Sequence, residues 1–147
     1  MNRLELVHKF RVAREAGERP DLSGADLFQE DLSRLDLHDI ILSKANMKGC
    51  FLIETNLQNA DLSEANLDSA YANRADMTGA DLSHADLSGA NLSQAVLKSA
   101  NLMKADLRDA NLYRADLSEA TLAGARVNMN TKWPDGYDPI EAGVEVD

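Results

Sequence analysis

The sequence has little of several features that mark common classes of protein. Its 147 residues include a single cysteine, which excludes an internal disulfide framework and fits a reducing compartment. No apolar run approaches the ~20 residues of a membrane span, and the opening residues MNRLELVHKF lack the apolar stretch of a signal peptide. These absences predict a cytoplasmic protein of one domain that makes no contact with a membrane.

Basic and aromatic residues are scarce as well. Only 15 residues are Lys or Arg against 25 Asp or Glu, a formal net charge of −10, and 5% are aromatic. Direct binding of nucleic acid is not expected, because it requires a basic surface that displaces counterions. The chain is nevertheless 44% hydrophobic, which is enough for a core, and with so few aromatic residues that core must consist of Leu and Ala.

A five-residue repeat runs through most of the chain. Counting every fifth residue from Leu22 to Val127 gives 22 central positions, and 18 of them are Leu. The position two residues earlier is Ala in 16 of the 22 units, and the position directly before the centre is Asp or Asn in 16. A pattern of this regularity indicates a repeat architecture.

Neither a helix nor a continuous strand can bury a Leu at every fifth position. Five steps along an α-helix rotate a side chain by about 140°, and an odd step along a strand turns it to the opposite face. A chain that makes a short extended stretch and then a corner in each unit can bury all of them. Ala and Leu then share the inner face, while the Asp or Asn between them points outward.

The units resemble the A(D/N)LXX motif of the pentapeptide-repeat family, for example at residues 80–84 (ADLSH) and 105–109 (ADLRD). The resemblance covers residues 20–129 and implies an all-β fold, a right-handed quadrilateral β-helix with four units per coil. These 110 residues, at 20 per coil, give 5.5 coils and a rod of roughly 26 Å. The flanking residues 17–19 (GER) and 132–134 (KWP) are similar to those of cyanobacterial members, which indicates a bacterial source.

Residues 1–19 are expected to cap the N-terminal end of the rod. Residues 2–16 have the pattern of an amphipathic helix, with Asn2 and Glu5 in a capping box at its start. A helix here would cover the apolar interior and the unpaired backbone groups of the first coil. Its predicted inner face consists of Leu6, Val7, Phe10 and Ala13.

Residues 130–147 are expected to form a C-terminal cap and tail. The repeat stops after Asn130, and the Pro-Asp-Gly sequence at residues 134–136 is a turn signal. Trp133 and Tyr137 are predicted to cover the apolar end of the last coil. Because both ends of the rod would then be covered, the sequence favours a monomer.

Three inward positions depart from the pattern. Glu30 occupies an Ala position, and because an unpaired buried carboxylate is costly, we expect a partner near the N-terminal cap or local exposure. Ala72 replaces a central Leu, which predicts slack in the core rather than a ligand pocket. Cys50 also takes an Ala position, so a buried and inert thiol is expected.

Two polar clusters contain residue types that are used in catalysis. Residues 83–86 (SHAD) place Ser, His and Asp close together, but a catalytic triad requires converging geometry and an oxyanion hole. His38 lies between Asp36 and Asp39, a candidate acid–base or metal pair, on a different wall from His84. With the interior filled by Leu, the sequence predicts no enzyme activity, no metal site and no cofactor.

Stacking the units in twenties sorts the outward residues into four walls. The wall centred on residues 32, 52, 72, 92 and 112 carries exposed aromatic and arginine side chains, a composition typical of protein interfaces. Phe51 and Tyr71 are 20 residues apart and are expected to stack on adjacent coils. The same residues could instead form a self-satisfied surface ladder, so both interpretations stay open. We call this surface the aromatic wall; its candidate binding residues are Phe51, Ile53, Tyr71, Arg74, Tyr113 and Arg114.

The wall centred on residues 37, 57, 77, 97 and 117 is acidic, with five acidic residues against Lys98 and a net charge of −4. Ten of the 25 acidic residues of the chain are the Asp that precedes a central residue, so much of the charge belongs to the repeat itself. A negative surface keeps a protein soluble, and it can also mimic a nucleic acid. We call this surface the acidic wall; its acidic residues are Asp36, Asp39, Asp76, Asp116 and Glu119.

A rigid rod with a solid interior offers surface rather than a pocket. The sequence therefore predicts a non-enzymatic protein-interaction or scaffold module, and the expected partner is another protein. The alternative is an acidic DNA mimic that binds DNA gyrase or another type II topoisomerase. The family resemblance implies this alternative, because some members resemble duplex DNA and inhibit these enzymes.

Overall fold

The backbone forms a parallel ladder in which residues pair at a separation of 20. The structure is a computed structural model, and it describes all 147 residues. Asp21 pairs with Ile41, Ile41 with Asp61, and Asp61 with Asp81, and three further columns follow the same rule. Each five-residue unit also contains one turn, so a coil has 20 residues and four sides. This register agrees with the predicted β-helix.

Regular strands are nearly absent, because the extended part of each unit is too short. Only the residue before the centre makes a bridge to the next coil. The two strands longer than one residue are β1 (Arg126–Val127) and β2 (Glu145–Val146), which pair in parallel at the C-terminal end. The β architecture is therefore built from single-residue bridges that stack into four walls.

Each unit closes with a hydrogen-bonded turn, which the sequence pattern indicated only as a corner. The N–H of Ala25 donates to the carbonyl of Leu22 at 3.1 Å, and equivalent bonds recur along the chain. The residue two positions after the centre has φ between 57° and 71° in all 21 units from Gly24 to Gly124. A positive φ at this place is typical of a type II turn and favours Gly, yet 16 of the 21 residues are not Gly.

The Asp or Asn before each centre stabilises the turn that follows it. Its side-chain oxygen accepts a hydrogen bond from the backbone N–H two residues later, as between Asp81 Oδ1 and the N–H of Ser83 at 2.9 Å. All 16 Asp and Asn residues at this position make such a bond. Bonds of this kind favour a bend because they satisfy a backbone donor that the turn leaves free. The acidic residues of the repeat therefore have a structural role that their outward direction did not predict.

The inward Leu and Ala side chains form one continuous core. A single cluster of 39 buried hydrophobic residues extends from Leu6 in the N-terminal cap to Val127 in the last coil. Ala72, the one Ala at a central position, is buried with 1% of its surface exposed. Burial of a Leu side chain contributes about 1.5–3 kcal/mol, so this column is the main favourable contribution to folding.

A capping helix, α1 (Arg3–Glu15), packs on the first coil. Its capping box is present as predicted: the Asn2 side chain accepts from the N–H of Glu5, and the Glu5 side chain accepts from the N–H of Asn2. Leu6 is fully buried, with other apolar side chains of the helix packed beside it. The helix is one residue shorter at each end than predicted. No helix of the chain combines the length and the apolar character that a membrane span requires.

Cations of the N-terminal cap close the first edge of the ladder, in addition to apolar packing. The first coil has backbone carbonyls with no preceding coil to donate to them. Three cationic groups of the cap donate instead, and acceptors that would invite another strand are thereby occupied. The pairs are the Met1 amino group with Asp26 O (2.8 Å), the Arg3 guanidinium with Asp31 O (2.7 Å) and Ser33 O (3.2 Å), and the Arg14 guanidinium with His38 O.

Glu30 has the partner that its inward position required. Its carboxylate accepts a hydrogen bond from the N–H of Arg3 at 3.2 Å, at the N-terminus of α1. The first N–H groups of a helix have no partner inside the helix, so this end favours negative charge. The expectation of a partner near the cap is confirmed.

At the C-terminal end the coil continues after a one-residue shift in register. Asn111 pairs with Lys132, a separation of 21. Thr131 takes an inward position, and its hydroxyl donates to the carbonyl of Leu107 at 2.9 Å. The predicted boundary at residue 129 marks the end of the five-residue spacing, and the coil geometry extends beyond it. Strand β2 then returns the tail to the last coil through its pairing with β1.

The hydrogen bonds of the turns make stability depend on pH. Bonds from the N–H of Ser23 and of Ser33 hold the pKa values of Asp21 and Asp31 below the usual value of 3.8. A carboxyl with a lowered pKa in the folded state contributes stability above its unfolded pKa, and the contribution is lost as pH falls through the folded value. We expect the urea midpoint to fall below about pH 4. An unchanged midpoint at about pH 3 would contradict the role assigned to these turns.

Candidate interaction surface

Phe51 and Tyr71 form an exposed aromatic stack on the aromatic wall. They are bridge partners on adjacent coils, and their ring centroids lie 4.9 Å apart with an interplanar angle of 6°. Their exposed fractions are 38% and 46%. The 20-residue spacing predicts this stack, because parallel coils hold the two rings face to face. Both side chains present apolar surface to solvent.

A row of alternating charges follows one corner of the aromatic wall. Glu54 lies 3.4 Å from Arg34 and 3.6 Å from Arg74. Arg74 Nε also donates to Gln94 Oε1 at 2.9 Å. These side chains are well exposed, so each ion pair contributes little to stability. Their effect is to hold the Arg74 guanidinium in place, in the same unit as Tyr71.

The other predicted residues of the aromatic wall are more scattered. Ile53 is half-buried, and its N–H donates to a serine hydroxyl of the preceding coil at 3.2 Å. Tyr113 and Arg114 lie two coils beyond the level of Arg74, about 10 Å further along the rod. There the Arg114 guanidinium lies over the Tyr113 ring at 5.2 Å from its centroid, a cation–π contact. The structure therefore places these two residues in a cluster separate from the aromatic stack.

The sequence analysis missed a groove that borders the aromatic stack. Phe28, 50% exposed, lies at the corner that leads into the aromatic wall, and Lys48 lies at the same corner one coil further on. Lys48 Nζ is 2.7 Å from the Asp68 carboxylate. Phe28 and Lys48 line a surface groove together with Phe51 and Tyr71. Sorting residues wall by wall separated Phe28 from the stack, although a corner residue of one wall borders the next wall.

The acidic side chains of the acidic wall are engaged by their neighbours. Burial raises the pKa of Asp76, but hydrogen bonds from Thr78 and Gln58 outweigh it, so the pKa stays below its usual value. The wall is therefore a fixed row of carboxylates rather than a set of mobile charges. The other contacts are Asp36 with His38 Nδ1 (2.8 Å), Asp39 with Arg14 (3.5 Å), Asp116 with the Ser118 hydroxyl (2.6 Å) and Glu119 with the Ser99 hydroxyl (3.1 Å).

Neither polar cluster with catalytic residue types has the geometry of an active site. His84 is exposed at a corner and shares no hydrogen bond with Ser83 or with Asp86. His38 contacts the adjacent Asp36 and meets a phenylalanine ring of α1 edge-on at 6.3 Å. It therefore belongs to the contact between the cap and the first coil. No three His, Cys, Asp or Glu side chains are grouped as a metal site would require.

Cys50 lies in the core, at the inward position that the repeat assigns to it. Its thiol is fully buried and donates to the carbonyl of Leu27 at 2.8 Å. Burial raises the pKa of the thiol to about 12. Because the thiolate is the nucleophilic form of cysteine, Cys50 stays in its unreactive protonated form near neutral pH.

The repeat and the coil geometry together define the class of protein. The sequence matches the model of the pentapeptide repeats in eight copies, over residues 21–59, 60–98 and 100–128. The chain belongs to the pentapeptide-repeat family, and this membership implies a right-handed β-helix. A comparison with curated proteins found no match.

Solved structures of two cyanobacterial pentapeptide-repeat proteins are similar to the chain over most of its length. The identity to Rfr23 from Cyanothece 51142 is 26%, with a TM-score of 0.81 over 88% of this chain and 98% of Rfr23. The identity to HetL from Nostoc sp. strain PCC 7120, a protein involved in heterocyst differentiation regulation, is 27%, with a TM-score of 0.80 over 91% of this chain. The chain spans 57% of the length of HetL.

A third likeness bears on the gyrase hypothesis. QnrB1, a plasmid-mediated fluoroquinolone resistance protein, is 20% identical to the chain, with a TM-score of 0.44 over 86% of this chain and 80% of QnrB1. At this distance the likeness carries no argument about function.

The buried location of Cys50 predicts that the native protein resists alkylation. Iodoacetamide at about pH 8 should leave the folded chain unlabelled for hours, because the thiolate is not formed and the sulfur is not accessible. The same reagent in guanidinium chloride should label the residue completely, and mass spectrometry of the intact chain measures both results. Rapid labelling of the native protein would contradict the inward position of Cys50.

Proposed function

We propose that the chain is a non-enzymatic protein-interaction module and that the aromatic wall is its binding surface. The interior is a continuous column of buried Leu and Ala side chains, with no room for a substrate. What the rod offers to another molecule is therefore the outer face of its walls. We further propose that it acts as a monomer, because α1 occupies the N-terminal edge, and that it works in the cytoplasm.

The observation that carries the proposal is the exposed stack of Phe51 on Tyr71. Aromatic side chains and Arg are the residue types enriched at the hot spots of protein interfaces. The stack, the neighbouring groove with Phe28 and the fixed guanidinium of Arg74 combine apolar area with a positive charge. A partner that buries the stack would gain hydrophobic free energy with little loss of side-chain freedom, since the rings are already held in place.

The competing interpretation is a ladder that serves only the rod itself. Cross-strand pairs and exposed ion pairs stabilise neighbouring rungs by about 0.2–1 kcal/mol each. This interpretation accounts for the alternation of Arg34, Glu54 and Arg74. It does not account for Phe28, whose ring is half exposed and stacks on no other ring. The interface interpretation accounts for both features.

The gyrase hypothesis loses its main support once the turns are considered. Ten of the 25 acidic residues precede a central residue, and all ten accept the hydrogen bond that closes their own turn. The fold therefore explains this share of the acidity without a DNA-like role. Inhibition of gyrase supercoiling at about micromolar protein, a concentration typical of specific binding, would revive the hypothesis.

The double substitution Tyr71→Ala and Arg74→Ala tests the proposal. It removes one ring of the stack and the fixed guanidinium, and the far-ultraviolet circular dichroism should not change because both side chains point outward. Proteins that bind the immobilised wild-type chain from a lysate of the source organism should be lost. Mass spectrometry identifies the captured proteins.

The matched control is Ile41→Ala with Lys44→Ala, at the same two positions of a unit on another wall. This control should retain every protein captured by the wild-type chain. If the Tyr71 and Arg74 variant also retains them, the aromatic wall is not the binding surface.

A further inference from the structure

The last coil leaves part of its edge without a partner strand. The N–H groups of Leu117 and Glu119 donate to no protein group. In the preceding coil, the equivalent N–H groups of Leu97 and Ser99 donate to the next coil at 2.8 and 2.9 Å. The chain leaves this wall at the turn of residues 134–136, so no further coil follows on the acidic wall. An unpaired edge of this kind is a template for an added strand.

Other parts of the same end are covered by the C-terminal tail. Lys132 continues the aromatic wall, where its carbonyl accepts from the N–H of Leu112 at 2.7 Å. Strand β2 pairs with β1, and the carbonyl of Gly143 accepts from the N–H of Gly124 at 2.9 Å. The acidic wall has no such cover at this end.

A groove with an apolar floor follows the open edge. Its floor contains Ala115 and Leu117, which are 6% and 7% exposed, whereas the equivalent Ala95 and Leu97 are fully buried. The other side of the groove is the loop of residues 134–137. The ring of Tyr137 stacks there on the neighbouring tryptophan at a centroid distance of 5.2 Å. An extended chain of protein fits between these two sides.

The charges around the groove favour a basic occupant. Asp116 and Asp135 line it from opposite sides, and Glu119 lies beside it at the next corner. Hydrogen bonds from Ser118 hold the pKa of Asp116 below its usual value, which keeps this carboxylate ionised. Complementary charge in a partner therefore means Lys or Arg side chains.

We propose that this groove binds an extended basic peptide as an added strand of the acidic wall. Within the rod, the two carbonyls that accept from the preceding coil belong to residues two apart, Asp116 and Ser118, and Leu117 between them points inward. A bound peptide that follows this rule places one apolar side chain on Leu117. Its two neighbours point outward in line with Asp116 and Ser118, close to the carboxylates. The recognised pattern is therefore basic–apolar–basic, as in Lys-Val-Lys.

This site is independent of the aromatic wall and goes beyond the function proposed above. The added strand would supply the carbonyls that Leu117 and Glu119 lack, and the peptide side chains would supply the specificity. The partner is thus any protein with an exposed or disordered segment of alternating basic and apolar residues.

The test uses the full chain and an acetylated, amidated peptide of sequence Lys-Val-Lys-Val-Lys. In the free protein, the amides of Leu117 and Glu119 should exchange with solvent faster than those of Leu97 and Ser99. At about millimolar peptide, the two open amides should shift in the NMR spectrum and exchange more slowly, because each gains an acceptor. The control peptide Lys-Lys-Lys-Val-Val has the same charge without the alternation, and it should not slow their exchange.

A charge reversal with a matched control tests the choice of a basic partner. Glu119→Lys should weaken peptide binding about fivefold or more, because it replaces an attraction by a repulsion. Glu64→Lys makes the same change at the same position of a unit on another wall, and it should leave the affinity unchanged. Both variants should fold, since Lys44 and Lys104 already occupy this position with positive φ.

Several results would overturn the proposal. These are an equal effect of the two peptides, an equal loss of affinity in the two variants, or unchanged exchange at Leu117 and Glu119. Slow exchange of these amides in the free protein, together with a dimer in light scattering, would assign the edge to a second copy of the chain instead. None of these results depends on Phe51 or Tyr71, so failure here is distinguishable from failure of the aromatic wall.

Discussion

Every feature of the rod depends on Leu and Ala side chains meeting along one central column. Because an inward Leu recurs every five residues, the backbone turns once in each unit, and four turns return the chain to a point above its start. Outward residues 20 apart then lie in fixed columns. This constraint alone brings Phe51 onto Tyr71 and aligns Asp76 with the other carboxylates of the acidic wall. The packing of the core therefore determines the composition of each surface.

Periodicity predicted the features that follow from spacing and burial. The inward column, the aromatic stack, the capping box and the partner of Glu30 were all expected from the sequence. The four-sided closure came from the family resemblance, since the pattern itself required only one corner per unit. Three features could not be read from the pattern, because each depends on which groups meet in space. They are the hydrogen bonds of the Asp and Asn side chains, the cations of the cap on the first-coil carbonyls, and the position of Phe28 beside the stack.

The two ends of the rod present opposite hydrogen-bonding groups. The N-terminal edge offers carbonyl acceptors, which Met1, Arg3 and Arg14 occupy with cationic donors. The C-terminal edge offers N–H donors, and a short tail covers them only in part. A β-helix has to protect both edges from uncontrolled association. The difference between the ends gives the rod a direction, with a closed cap at one end and an acidic, partly open edge at the other.

The most direct test of the central column is the free energy of unfolding of Leu82→Ala beside that of Ser83→Ala, measured by urea denaturation. Leu82 is fully buried, and Ser83 is the next residue but points outward. The dry column predicts a loss of about 2–5 kcal/mol for Leu82→Ala and less than about 0.5 kcal/mol for Ser83→Ala. Equal and small losses for the two variants would contradict the account, because they would show that Leu82 is not part of a packed interior.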